Sequence, residues 1–192
     1  MKINQIYSDN NKFKSIKFNK HLNVILGITK DKSKKDSDTH NLGKSTLISV
    51  IDFMLLKELR NNDLFKKNYS LLKDFTFFIE LKKDSNSYVT VKRGVKNNTK
   101  ISLKFHEEPF QDYKNEMMWD YIDLPLTSKD RKKNPKFILN DFFSFFNYEE
   151  YNYRKYLGYF LRTQYDYDKV FKLSKFQGKM IGSTSIFRTH KS

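Results

Sequence analysis

The sequence predicts an α/β fold with α+β character, an antiparallel β-meander flanked by helices. Three observations predict it. Stretches of alternating or aromatic character, FTFFIELKK, YVTVKRG and KISLKF, follow one another across short polar turns. A continuous apolar run, HLNVILG, precedes a segment whose apolar residues recur at three and four, so the period changes from strand to helix. The chain has 192 residues and no internal repeat, enough for one ordinary domain with a real core.

The elements follow in order. Met1–Tyr7, with Ile3 and Ile6 loosely alternating, is expected to be an edge strand, and FKSIKF a second short one. HLNVILG, ended by Gly27, is expected to be a buried strand. Leu47, Ile48, Ile51, Met54, Leu55 and Leu59 share one face of a helix that is expected to end near RNND. The three meander strands turn at DSNS and VKNNT. Residues 106–136 are polar, hold all three prolines and are expected to be irregular, with a short helix from Tyr113 to Trp119. NPKFILNDFFSFF is expected to be a helix with Asn134 as its cap and Pro135 in its first turn. A last helix, YEEYNYRKYLGYFLRTQ, places Tyr153, Tyr156, Leu157, Phe160 and Leu161 on one face.

Composition narrows the function. The 37 Lys and Arg against 22 Asp and Glu leave a net charge of +15. That fits a polyanionic partner, and it equally fits a composition rich in Lys, Asn, Phe and Tyr. The lack of cysteine excludes disulfides and thiolate metal sites. His21, His40, His106 and His190 show no metal-ligand spacing. No apolar run approaches the roughly 18 residues of a membrane span, and no leader-like apolar region follows Lys2, so a soluble, cytoplasmic chain with no membrane partner is expected.

One motif carries chemistry. Gly43, Lys44, Ser45 and Thr46 end a stretch that resembles a nucleotide-binding P-loop, but the spacing G-x-x-x-x-G-K-[ST] would need a glycine where Asp38 stands. Gly27 is read as that glycine, displaced by a polar insertion, ITKDKSKKDSDTH. Such an insertion costs little closure entropy, roughly 0.6 kcal/mol per doubling of loop length. Each residue type has a reason. Backbone N–H groups around Gly43 and the helix N-terminus favour a phosphate. Lys44 would neutralise β/γ-phosphate oxygens, Ser45 would ligate Mg²⁺ and Thr46 would reach the α-phosphate. Asn41 fills a position that is often Gly, and Asn tolerates a positive φ. Asp36 and Asp38 are expected to point away from the phosphates. ATP and Mg²⁺ are the expected cofactors.

FKSIKFNKHLNVILG, the insertion, THNLGKSTLISVIDFML and the aromatic strands after them resemble the N-terminal lobe of an SMC/RecF-type ABC ATPase, a P-loop NTPase. The narrower resemblance is to the YydD-like ATPases, and it is most specific over residues 13–56. It implies a nucleotide-binding lobe over 1–176, an irregular tail or truncation point over 177–192, and ATP bound between two heads in a head-to-head dimer. It also implies a role in DNA transactions or defence. A glutamine of the Q-loop would ligate Mg²⁺ and sense the γ-phosphate. Gln164 in FLRTQYDY is the candidate, with a surface glutamine the equal alternative, and Arg162 beside it has the same standing.

The pattern departs from that family after Lys44. No apolar strand ends in Asp-Glu, and neither an LSGGQ-like segment nor a heptad run follows. The expectation is a fragment, or else a half-ATPase, that needs a C-terminal lobe in cis or in trans for hydrolysis. Glu149, Glu150, Asp120 and Asp123 read as a solvated face. The alternative function is a basic nucleic-acid-binding module in which GKST is incidental. There, Lys30–Lys35, Lys129–Lys136 and Arg93, with Tyr and Phe nearby, would contact phosphates and stack bases. No RNP, zinc-finger or helix-turn-helix pattern accompanies them.

Overall fold

A computed structural model of the chain describes residues 1–25, 43–84 and 86–145, together with Arg154, Leu157 and Leu161. Six strands and four helices occupy these residues. They are β1 (Lys2–Ser8), β2 (Ile16–Lys17), α1 (Lys44–Met54), α2 (Leu64–Lys67), α3 (Tyr69–Leu72), β3 (Thr76–Lys82), β4 (Tyr88–Gly94), β5 (Lys100–His106), β6 (Tyr121–Pro125) and α4 (Pro135–Phe142). The strands form one sheet in the order β2-β1-β3-β4-β5-β6. Every neighbouring pair is antiparallel, which gives the chain its α+β character.

Alternation along β3 and β4 makes the two faces of the sheet. Ile6, Ile79, Val91 and Leu103 stand in one cross-strand row, and all four are buried. Phe77, Leu81, Val89 and Ile101 extend that face, and α1 packs on it with Val50, Ile51, Phe53 and Met54. Phe53, Phe65 and Phe77 meet ring to ring, with Phe53–Phe65 centroids 4.4 Å apart. Each such side chain contributes about 1.5–3 kcal/mol by leaving water. The meander appears as expected. The first strand does not: β1 lies inside the sheet, because β2 pairs with it through Gln5–Lys17 and Ile6–Ile16.

Helix α1 stops earlier than its apolar spacing suggests. The chain turns at Leu56, whose φ of 68° is left-handed and whose side chain is fully buried. A left-handed non-glycine residue costs roughly 1–2 kcal/mol, which burial of the leucine offsets. Leu59 therefore packs against the core from outside the helix. Helix α4 begins as expected, with the Asn134 side chain accepting a hydrogen bond from the Lys136 N–H at 3.0 Å. Within the last expected helix, Arg154 and Leu157 are helical, and Leu157 is buried in the core.

Residues 106–136, expected to be irregular, contain strand β6, and two further expectations fail. Residues 21–25 of HLNVILG form no strand, and Leu22, Val24 and Ile25 are 88%, 69% and 43% exposed. Asn23 shapes a local turn there, accepting from the Asn19 N–H and donating to the carbonyls of Asn19 and His21. No described strand pairs with this run, so its apolar residues have no sheet to join. The helix expected over Tyr113–Trp119 is likewise absent. Local side-chain contacts shape an irregular loop instead. The Tyr7 hydroxyl accepts from Tyr113 N, the Asp112 carboxylate from Lys114 N, and the Glu116 carboxylate from Met118 N. This loop covers the second face of the sheet, where Tyr7, Phe78 and Trp119 form a small buried cluster.

Candidate functional site

The start of α1 is where the described structure and the P-loop-like motif meet. Gly43 precedes the helix with φ 81° and ψ 3°. The space where a Cβ would stand is open, so it is the backbone angle and not crowding that asks for glycine. The Gly43 carbonyl accepts the first helical bond, from Leu47 N at 2.9 Å. The N–H groups of Lys44, Ser45 and Thr46 therefore have no partner within the helix. No described side chain caps them, and the first turn contains no acid. Ser45 and Thr46 are exposed. A helix N-terminus with open N–H groups, a partial positive charge and two free-standing hydroxyl residues suits an anion.

The other end of α1 is closed by charge. Arg154 donates through one guanidinium nitrogen to the Asp52 carboxylate at 2.7 Å and to the Leu55 carbonyl at 3.1 Å. Lys57 bridges Asp52 and Asp63 at 3.2 and 3.0 Å. Burial works against the charge on Asp63, but the Arg60 N–H and the Lys57 ammonium outweigh it and hold its carboxyl below the ordinary range. A cavity of about 280 Å³ beside this network is lined by Ile48, Asp52, Lys57, Asp63 and Leu161, among others. Its carboxylates are already paired, so the network serves the helix end and leaves no reactive acid.

Other named residues distribute as follows. The backbone of Lys44 opens α1, while its side chain, Gly27, Asn41 and Gln164 lie outside the described residues, as do Asp36, Asp38, Glu149, Glu150 and Arg162. Asp123 is exposed. Asp120 is exposed too, accepts from Phe105 N and stands 3.9 Å from Lys104. Arg93, read as a phosphate contact, is instead wholly buried. It lies over the Phe53 ring at 4.0 Å and donates to the carbonyls of Phe53 and Asn98, which ties the end of α1 to the β4–β5 turn. The aromatic rings of the second sheet face are equally unavailable for base stacking: Tyr7, Phe78 and Trp119 are all buried.

Glu80 was missed as a structural residue. It is fully buried and accepts from the side chains of Asn4 and Gln5 and from the N–H groups of Phe110 and Gln111. It lies in phase with Phe78 on the second face of the sheet, and a glutamate alternating in step with an aromatic residue of a strand is the one signal that could have found it. Among the described residues no three His, Asp or Glu side chains converge on a metal position, and no helix is long and apolar enough to cross a membrane. No family model, curated protein or solved structure matches the chain.

Proposed function

We propose that this chain is the ATP-binding N-terminal lobe of an SMC/RecF-type ATPase, with the phosphates seated at the start of α1 and hydrolysis dependent on a second lobe. The observation that carries this reading is the uncapped α1 N-terminus, opened by a left-handed Gly43 and followed by Lys44, Ser45 and Thr46. The three open N–H groups would hold phosphate oxygens, and the Lys44 ammonium would add charge. Mg²⁺ suits the same place: the Ser45 hydroxyl is exposed and no acid of the first turn competes for it. The ion, bound through the nucleotide phosphates, would neutralise their charge and fix their orientation. Leu22, Val24 and Ile25, exposed shortly before this segment, give the apolar surface that a second lobe would cover.

Calorimetric titration with Mg·ATP tests the reading. Wild type is expected to bind, and Lys44→Ala to lose about 1.5–3 kcal/mol of that binding. Identical titrations of the two proteins would remove the phosphate cradle.

A further inference from the structure

One edge of the sheet carries opposite charges at its two ends. Strand β6 is that edge, and among the described residues no strand pairs with its outer side. The end where the chain enters β6 is acidic. Asp120 and Asp123 are exposed there, and Lys104 answers only Asp120, at 3.9 Å. The end where the chain leaves is basic. Lys129 and the 3-10 turn Arg131–Lys133 are exposed, and none of these four cations forms an ion pair among the described residues. Lys100, exposed and opposite Pro125 in the β5–β6 register, adds to the same end. The turn is held in shape: Asp130 accepts from Lys132 N, and Asn134 donates to the Ser128 carbonyl.

Apolar side chains are exposed along the same edge. Met117 and Met118, 90% and 77% exposed, precede the acidic end, and Ile122 is 62% exposed within the strand. Phe137, at the basic end, lies under the Arg131 guanidinium at 5.4 Å and is 44% exposed. Such side chains gain by being covered. Edge strands are often guarded by charge, and a guard against self-pairing repels best when it has one sign along its length. This edge has two signs. Turned about a two-fold axis beside Leu124 and Pro125, a second copy lays its basic end against the acidic end of the first, and the contact occurs twice. The same rotation brings the methionine end of one copy against the Phe137 end of the other, a pairing of thioether with aromatic ring.

We propose that the β6 edge is a docking surface for a second copy of this chain, joined about a two-fold axis by the opposite charges at its ends. Side chains carry the contact more than main chain. Pro125 has no N–H to offer, and the pairing with β5 breaks between Tyr121 and Leu124, where Asp123 has a φ of 51°. Nucleotide is not required. A dimer closed around ATP would use the α1 motif, and α1 packs on β3 and β4. The β6 contact is therefore independent of the nucleotide reading, and the two fail separately.

Sedimentation velocity without nucleotide, over a concentration series and a salt series, tests this. Wild type is expected to dimerise, and the dimer to weaken as salt screens the charges. Met118→Lys/Asp123→Lys makes the acidic end basic, and Lys129→Glu/Lys132→Glu/Lys133→Glu makes the basic end acidic. Each variant alone is expected to self-associate about tenfold or more weakly than wild type. An equimolar mixture of the two is expected to recover the dimer, because opposite charges face each other again. Both variants keep a net positive charge, so recovery comes from the local pairing and also shows that both are folded. A mixture that stays monomeric while both variants keep the circular dichroism of wild type would overturn the proposal. So would a wild type that is monomeric throughout, or a dimer that forms only with Mg·ATP. If either variant misfolds, carbodiimide cross-linking of wild type decides. Asp120 or Asp123 of one copy is expected to couple to Lys129, Lys132 or Lys133 of another, and cross-links between copies found only elsewhere would overturn it.

Discussion

Gly43 concentrates the proposed phosphate site into one backbone angle. Its φ of 81° turns the chain into α1 so that the next three N–H groups point out of the helix end. Any L-residue with a Cβ pays for that angle even though the space around it is open. Gly43→Ala is therefore expected to destabilise the fold by about 1–2 kcal/mol, read as a shift in the urea midpoint, and to weaken Mg·ATP binding as the turn relaxes. Unchanged stability with unchanged binding would mean that the angle is not needed. The same residue was legible in the sequence because glycine before Lys-Ser-Thr has a chemical reason to be there. Glu80 and Arg93 were not legible in that way. Both look like surface charges by type, and their burial depends on partners 30 to 76 residues away for Glu80 and 5 to 40 for Arg93.

At the scale of elements, local signals were readable and partner-dependent ones were not. The meander strands carry alternation and polar turns within themselves, and α4 carries its cap at Asn134 and its proline. The end of α1 carries no such signal. Leu55 and Leu56 continue the apolar helix pattern, and what stops the helix is the packing of Leu56 and the charge clasp beyond it. That clasp makes a prediction. Asp63 accepts from Arg60 N at 2.6 Å and from Lys57 at 3.0 Å, closing the segment between α1 and α2. Because its folded-state pKa is lowered, its contribution is present above the unfolded value of about 4 and is lost as pH falls through the folded value. Asp63→Asn is expected to cost about 1–2 kcal/mol at neutral pH. The gap from wild type should close as the pH is lowered below about 4. Chemical denaturation at both pH values checks this, and a gap independent of pH would assign the loss to packing. Strand β6 escaped notice for a related reason. It is short, ends at Pro125, exposes Ile122 and exists because β5 offers it an edge.

For the whole molecule, the question is what the described fold supplies to ATP chemistry. Phosphoryl transfer needs a positioned water and stabilisation of the charge on the transferred group. The α1 N-terminus offers backbone donors and Ser45, and the sequence adds Lys44. Among the described residues, the buried carboxylate and those beside α1 are otherwise engaged. Glu80 is buried under four hydrogen bonds, Asp52 and Asp63 close the far end of α1, and Glu58 is paired with Lys136. Asp74 and Asp123 are exposed, beside β3 and on the edge strand β6. The apolar run at Leu22, Val24 and Ile25, expected inside a sheet and found in solvent, is unsatisfied on the same side of the sequence as the motif. A lobe that buried it would bring its own acid to the phosphates. The purified chain is therefore expected to bind Mg·ATP and to hydrolyse it far more slowly than about 1 s⁻¹, an ordinary enzyme rate. Adding a C-terminal ATPase lobe, in cis or as a separate chain, should raise turnover and protect the 22–25 run from proteolysis together. Ordinary turnover by the chain alone, abolished in Lys44→Ala, would sink this account and make Asp74, Glu80 and Asp123 the first carboxylates to replace.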